Sequence, residues 1–197
     1  MFAKLNKKTI IMNHLIIYSH LNPMSFTKAI VDKVEKEAKT KGEEVKIIDL
    51  YGEKFNPVLE FPDIESMFMG KETPKDVKEY QEIVTWADHL TIVYPLWWGQ
   101  MPAMLKGFID RVFASGYAFA YTEKGPEGLL NGKTAQLYVS TGTPSEYYEQ
   151  SGMLDAQKRI TKAGIFGFCG IDTNITFFGN VAMGTDEERK AYLESIV

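Results

Sequence analysis

Cysteine and histidine are scarce in this chain, and their scarcity excludes several kinds of protein. The 197 residues contain one cysteine, Cys169, so an internal disulfide is impossible. Its apolar surroundings, FGFCGI, predict a buried thiol rather than a nucleophile. The three histidines, His14, His20 and His89, are scattered without the spacing of metal ligands, so we predict no metal site.

Long apolar runs and an excess of positive charge are also missing. No run approaches the roughly 20 apolar residues of a membrane span, and the N-terminal MFAKLNKKTII lacks the apolar core and cleavage site of a secretory signal. The 22 basic and 26 acidic side chains give a net charge of −4, which provides no footprint for a phosphate backbone. We therefore expect a cytoplasmic protein with no nucleic-acid partner and no stable membrane insertion.

The chain does contain short apolar runs, rich in β-branched residues, that alternate with segments of helical periodicity. This alternation is typical of an α/β protein with a parallel sheet between helices. Strands are predicted at 14–18, 45–51, 90–95, 133–141 and 172–178, and helices at 25–42, 76–88, 102–113, 154–163 and 186–196. Five strands fit a doubly wound, flavodoxin-like sheet of order 2-1-3-4-5. We expect one domain over 12–197, preceded by an N-terminal arm over 1–11.

One connection is too long and too rich in proline for a simple link between a strand and a helix. It is FNPVLEFPDIESMFMGKETP, residues 55–74. Connections of this size in compact domains are usually functional or mobile. We expect part of it to form the wall of a pocket.

Ligands of doubly wound sheets bind beyond the carboxyl ends of the strands, where three polar loops are predicted to meet. The first, SHLNPMSFT, leads into a helix, so its backbone amides and the hydroxyls of Ser25 and Thr27 could bind a phosphate. The same hydroxyls could instead only cap the helix. Because the loop has no glycine, a dinucleotide site of the GxGxxG kind is disfavoured.

The second and third loops offer flat surfaces and hydrogen-bond donors. In PLWWGQMP, Trp97, Trp98 and Gly99 could place aromatic walls and closely approaching backbone against a planar heterocycle. Alternatively, a tryptophan here fills the core or a subunit interface. In STGTPSEYYEQSG, Gly142 and the hydroxyls around it could bind the polar edge of a ring, although such residues are also ordinary turn formers.

Other enzyme signatures are absent or incomplete. GLLNGKT has Glu127 where a phosphate-binding P-loop needs glycine, and it leads into a strand instead of following one. The chain has no GxSxG elbow of a hydrolase. The residues therefore favour the binding of a cofactor that itself carries out the chemistry.

Several motifs together resemble one family. SHLNPMSF, YPLWWGQMPAMLKGFIDRVF with the following FAYTEKGPEGLLNGK, and STGTPSEYY are similar to the flavodoxin-like NAD(P)H:quinone oxidoreductases, from Met12 over nearly the whole chain. That group includes DT-diaphorase and bacterial relatives of the drug-activity-modulator and potassium-efflux-ancillary types. The resemblance implies a homodimer with a flavin between subunits, reduced by NAD(P)H and reoxidised by a quinone in a ping-pong reaction.

The resemblance also implies roles for individual residues. The predicted flavin phosphate contacts are His20, Ser25, Phe26 and Thr27. The segment along the isoalloxazine is Pro95, Leu96, Trp97 and Trp98, and the loop at its pyrimidine edge is Thr141, Gly142 and Thr143. Tyr148 matches the catalytic tyrosine that stabilises charge on the reduced ring. Arg189 resembles an arginine that reaches the adenylate half of FAD, which favours FAD over FMN.

One position departs from the family, and two other functions stay open. Mammalian members pair the tyrosine with a histidine six positions on, where this chain has Leu154. Tyr148, with backbone amides, would then have to support the reduced flavin. A regulatory subunit of a membrane transporter and a one-electron flavodoxin-type carrier are the alternatives, and the LKGFIDRVF helix with the aromatic wall favours an enzyme dimer over the carrier.

Overall fold

The computed structural model of the protein describes residues 11–197, in which strands and helices alternate as the sequence predicts. In chain order, the strands are β1 (Asn13–Tyr18), β2 (Glu44–Asp49), β3 (His89–Pro95), β4 (Phe119–Thr122), β5 (Gly125–Gly128), β6 (Thr134–Ser140) and β7 (Asp172–Phe178). The α-helices are α1 (Phe26–Thr40), α2 (Phe61–Phe68), α3 (Lys75–Trp86), α4 (Ala103–Val112), α5 (Ser145–Gln150), α6 (Met153–Lys158) and α7 (Asp186–Glu194). Most of the predicted N-terminal arm, residues 1–10, lies outside this range.

Five strands form a parallel sheet in the order β2-β1-β3-β6-β7. This is the predicted 2-1-3-4-5 order. The antiparallel hairpin β4–β5 lies between the third and fourth of these strands in the chain and forms a separate two-stranded sheet. Hydrophobic clusters lie on both faces of the sheet. Because both faces are covered, β1 is apolar without alternation, and Leu15, Ile16 and Ile17 are all fully buried.

Helix α1 begins and ends where the sequence predicts. The Ser25 hydroxyl oxygen accepts a hydrogen bond from the Lys28 amide at 3.2 Å, which is the N-cap contact. Ile30, Val34 and Ala38 recur at helical spacing and are buried against the sheet. The helix N-terminus is therefore held at the carboxyl edge of the strands, directly after β1.

Several short elements were not predicted. They are the hairpin β4–β5, helix α2 inside 55–74, helix α5 in the third loop, and a π-helical turn, Arg159–Phe166, that follows α6 where one helix was predicted over 154–163. Helix α2 has only eight residues and is held by a capping box between Glu60 and Asp63. Elements this short contain too few residues to show a clear hydrophobic periodicity in the sequence.

The 55–74 segment packs on α4 through a buried ion cluster. Arg111, 3% exposed, contacts the Asp63 carboxylate through Nε at 3.0 Å and the Asp76 carboxylate through Nη1 at 2.7 Å. The Pro57 backbone lies where a Cβ on Gly107 would stand, so only glycine allows this approach. The segment does line a pocket, through Met67 in a depression of about 380 Å³ beside α4, but it does not line the cavity at the strand ends.

We expect Gly107→Ala to lower the free energy of unfolding by about 1–3 kcal/mol, because the added methyl forces the Pro57 backbone away from α4. Urea denaturation followed by circular dichroism measures the change. Gly164→Ala is the matched control, since a Cβ there meets no atom within 4 Å. Equal stabilities of the two variants would show that the contact with Pro57 is unimportant.

Two histidines that are far apart in sequence meet at the amino edge of the sheet. The parallel register pairs His14 with His89, and their rings lie 4.8 Å apart, a contact that their spacing in the sequence does not indicate. His14 Nδ1 donates to the Glu43 carboxylate at 2.7 Å, and Nε2 lies 2.8 Å from the Thr91 hydroxyl oxygen. Among residues 11–197, no group of three or more His, Cys, Asp or Glu side chains is arranged to hold a metal ion.

Burial lowers the pKa of His89 from 6.5 to about 4, with smaller effects from His14, Glu43 and Lys41. Burial also lowers the pKa of His14, against the opposing contact with Glu43. The unfolded chain therefore binds protons, between pH 6.5 and about 4, that the folded protein excludes. The free energy of unfolding should decrease as the pH falls through this range.

Urea titrations at several pH values test this, with His89→Asn as the comparison. The asparagine amide can still reach the Thr134 hydroxyl, which His89 Nδ1 contacts at 2.7 Å, but it does not titrate. The variant should lose less stability between pH 6.5 and 4 than the wild type. An identical loss in both proteins would assign the acid sensitivity to other groups.

The thiol of Cys169 is buried, as predicted, and burial raises its pKa to about 11. Such a thiol stays protonated near neutral pH and is a poor nucleophile. Within residues 11–197, no helix combines the length and the apolar character required to cross a membrane.

Candidate functional site

A cavity of about 490 Å³ opens at the carboxyl edge of the sheet. Its size falls in the range of small-molecule and cofactor sites. Its walls come from the three predicted loops and from a fourth loop after β7. The lining residues are His20, Ser25, Phe26, Thr27, Pro95, Leu96, Trp97, Trp98, Ser140, Thr141, Gly142, Thr143, Tyr148, Val181 and Ala182.

The sheet register brings these loops to a common level. Pro95, Ser140 and Phe178 are partners at the ends of three neighbouring strands. The ladder continues into the loops, because the Leu96 amide donates to the Ser140 carbonyl at 2.8 Å and the Thr141 amide donates to the Phe178 carbonyl at 2.8 Å. The sheet hydrogen bonds therefore extend one residue into the second and third loops.

The first loop presents a neutral histidine to the cavity. The Asn22 amide donates to His20 Nδ1 at 3.0 Å, and the Asn22 side chain accepts from the Met24 amide at 2.9 Å. Burial lowers the pKa of His20, so the imidazole is uncharged near neutral pH. Because Nδ1 accepts, the ring proton lies on Nε2, where it can serve as a donor to a ligand.

The hydroxyl of Ser25 caps the helix and also remains available to a ligand. Ser25 caps α1 by accepting from Lys28, and its own hydroxyl hydrogen can still be donated to a ligand. The first turn of α1 contains no acidic residue to offset the positive end of the helix dipole. Thr27 and Ser140 are buried with their hydroxyl oxygens 3.4 Å apart, which joins α1 to the end of β6.

The second loop is a tight turn that exposes a tryptophan. Trp97 and Gln100 exchange two backbone hydrogen bonds, at 2.9 and 3.0 Å, so Trp98 and Gly99 occupy the tip. Both tip residues have positive φ, 52° and 71°, a conformation that suits glycine and costs a tryptophan about 1–2 kcal/mol. Trp98 is fully exposed at the mouth of the cavity and does not fill the core.

The third and fourth loops are bonded to one another. The Thr141 hydroxyl donates to the Thr143 carbonyl at 2.7 Å, while the Val181 and Asn180 amides donate to the carbonyls of Thr141 and Thr143. Val181 and Ala182 line the cavity and were not identified from the sequence, whereas Ser140, which also lines it, is one of the hydroxyl donors expected in the third loop. Ligands of doubly wound sheets bind beyond the carboxyl ends of the strands, and this rule applies after β7 as well. Small apolar residues such as Val181 and Ala182, however, do not indicate a binding site in the sequence.

Tyr148 reaches the cavity from α5 and packs partly against the main core. Its neighbour Tyr147 is 64% exposed and does not belong to the lining residues. Leu154, at the position of the mammalian histidine, is 8% exposed and belongs to α6. Among the described residues, Tyr148 is the phenolic donor of the cavity wall.

All of the predicted site residues line the cavity except Gly99 and Arg189. Gly99 occupies the tip of the tryptophan turn, and its carbonyl accepts from the Gln157 side chain. Arg189 donates to the carbonyls of Val181 and Gly184, at 2.9 and 2.7 Å, and to the Asp186 carboxylate at 2.7 Å. It thus secures the fourth loop from behind the wall.

The chemistry of the wall suits a flat, polar-edged ligand that carries a phosphate. Within residues 11–197, the wall contains no aspartate, glutamate, lysine or arginine, so its donors are hydroxyls, a neutral imidazole and backbone amides. Such donors at a helix N-terminus bind phosphate, and carboxylates that would repel it are missing from the wall. The aromatic rings of Trp97, Trp98 and Tyr148 offer surfaces for a planar ring system.

Comparison with known proteins agrees with this geometry. A family model for the flavodoxin-like fold matches residues 12–196. The chain belongs to this family. An NAD(P)H oxidoreductase of Haemophilus influenzae, described as uncharacterized, is 37% identical to it, over 93% of this chain and 91% of that protein.

Two further relatives carry names that mention quinone. The human ribosyldihydronicotinamide dehydrogenase [quinone] is 32% identical, over 89% of this chain and 85% of the human protein. The solved structure of an NAD(P)H:quinone oxidoreductase from Methanothermobacter marburgensis is 26% identical and superposes with a TM-score of 0.86, covering 95% of this chain and 94% of that one. The predicted family is therefore confirmed over nearly the whole chain.

Proposed function

We propose that this protein is a flavin-dependent NAD(P)H:quinone oxidoreductase. The observation that carries the proposal is that one cavity combines an uncharged donor set at the N-terminus of α1 with an aromatic wall. The names of the relatives support the same reaction class. A flavin bound in this cavity would supply the redox chemistry, the transfer of hydride from NAD(P)H to a quinone or a similar electrophilic acceptor.

The chain's own residues bind and orient the reactants. His20, Ser25 and Thr27, together with the first amides of α1, would hold the flavin phosphate. The 95–98 segment would lie along the ring system, and the 141–143 loop would contact its pyrimidine edge. The same open mouth beside Trp98 would receive the nicotinamide and then the acceptor, so we expect ping-pong kinetics.

Tyr148 would be the catalytic residue of this site. A phenol on the cavity wall can donate a hydrogen bond to negative charge that develops on the pyrimidine side of the ring. With Leu154 in place of the family histidine, this donor and the backbone amides of the 141–143 loop would share that function.

We further propose FAD, with FMN as the alternative, and a homodimer with the flavin at the subunit interface. The support for FAD is the resemblance of Arg189 to an arginine that reaches the adenylate half, although in the structure this side chain holds the loop that supplies Val181 and Ala182 to the wall. Exposed aromatic side chains support the dimer, since Trp98 is fully exposed and Phe61 and Phe68 of α2 are 65% and 63% exposed. The protein would act in the cytoplasm.

Visible absorption spectroscopy tests the proposed function directly. The purified protein, supplied with FAD or FMN, should show flavin bands that bleach on anaerobic addition of NADPH or NADH and return on addition of menadione. The affinities for the two flavins, measured in the same titrations, decide between them. A protein that stays colourless with both flavins would contradict the proposal, and bleaching without steady turnover would favour a regulatory or carrier function.

Replacing Tyr148 tests its proposed role. Tyr148→Phe removes the hydroxyl and keeps the ring, so stopped-flow flavin reduction should slow about tenfold to a hundredfold while flavin stays bound. Tyr147→Phe is the matched control, because it removes the same group from the neighbouring, exposed side chain. Wild-type reduction rates in Tyr148→Phe would remove this residue from the mechanism.

A further inference from the structure

The turn that carries Trp98 is strained, and strain of this kind persists only where surrounding contacts enforce it. Trp98 has φ +52° although its side chain is fully exposed and gains no packing in return. The two hydrogen bonds between Trp97 and Gln100 close the turn but do not fix its tip in space. A contact from outside the turn is therefore needed to hold the tip.

That contact comes from α6. The side-chain amide of Gln157 donates to the carbonyl of Gly99, the residue after Trp98. Gln157 is 4% exposed, so its amide is fixed within the protein and water competes weakly for the bond. Helix α6 thus supports the turn from behind through this hydrogen bond.

We infer that Gln157 is a positioning residue of the site, whose hydrogen bond to Gly99 fixes the turn that presents Trp98 at the mouth of the cavity. Gln157 does not line the cavity and acts through the turn. Its consequence for catalysis rests on the proposed function, since Trp98 would stack against the nicotinamide and the acceptor. Its consequence for the turn does not depend on any ligand.

The chain contains a matched control for this contact. Gln81 of α3 is also buried, 9% exposed, and its side-chain amide also donates to a backbone carbonyl, that of Val112, at 3.1 Å. That carbonyl lies at the end of α4 and not in the tryptophan turn. Replacing either glutamine with methionine keeps the side-chain size and removes the donor.

Amide hydrogen exchange of the ligand-free protein, resolved by NMR, measures the opening of the turn. The Trp97 and Gln100 amides should exchange about tenfold faster in Gln157→Met than in the wild type, because one buried hydrogen bond no longer opposes local opening. Gln81→Met should leave these two amides unchanged. A second variant, Gln157→Glu, keeps the side-chain size but places a carboxylate acceptor against the Gly99 carbonyl. It should also accelerate exchange of the Trp97 and Gln100 amides, and it replaces the methionine variant if that variant does not fold.

Steady-state kinetics of the flavin-loaded protein gives a second readout. In Gln157→Met the KM values for NAD(P)H and for menadione should both rise severalfold with smaller changes in kcat, since both substrates would lose the same ordered surface at Trp98. Turn amides that exchange at wild-type rates in both Gln157 variants, or that accelerate equally in Gln81→Met, would overturn the inference. A wild type that fails to reduce menadione would refute the proposed function while leaving the exchange result to decide on Gln157.

Discussion

The site depends on the parallel register of the sheet, which ends neighbouring strands at the same level. Pro95, Ser140 and Phe178 are register partners, and the hydrogen bonds that follow them extend the ladder one residue into each loop. Residues from 20 to 182 thereby share one cavity. If the register of one strand shifted by one residue, its loop would move away from the other loops. The side chains of that strand would also turn to the opposite face of the sheet.

At the carboxyl edge of the sheet, the cavity would attract a ligand through the helix dipole and uncharged hydrogen-bond donors. The wall described here has no formal charge, His20 is kept neutral by burial, and α1 points its N-terminus at the cavity without an acidic residue in its first turn. The ion cluster of Arg111 with Asp63 and Asp76 lies away from the cavity and fixes the 55–74 segment on α4. Charged side chains such as Arg111 thus stabilise the packing of the fold, while uncharged side chains form the wall of the cavity.

The sequence predicts those parts of the molecule whose causes are local. Apolar runs mark the five parallel strands, Ser25 marks the start of α1, and the polar loops after three strands mark most of the cavity wall. Features whose causes are distant in sequence escape prediction. Helix α2 depends on Arg111, 48 residues from Asp63, and the contact of His14 with His89 exists only once β1 and β3 are in register.

The same distinction explains α6, whose importance no local pattern indicates. The resemblance implies that mammalian members of the family have a histidine six positions after the tyrosine, whereas here that position is Leu154, which is buried. What α6 contributes instead is Gln157, 58 residues from the carbonyl it binds. A helix that contributes no side chain to the cavity wall can therefore still shape the site, because its hydrogen bond to Gly99 fixes the turn that carries Trp98.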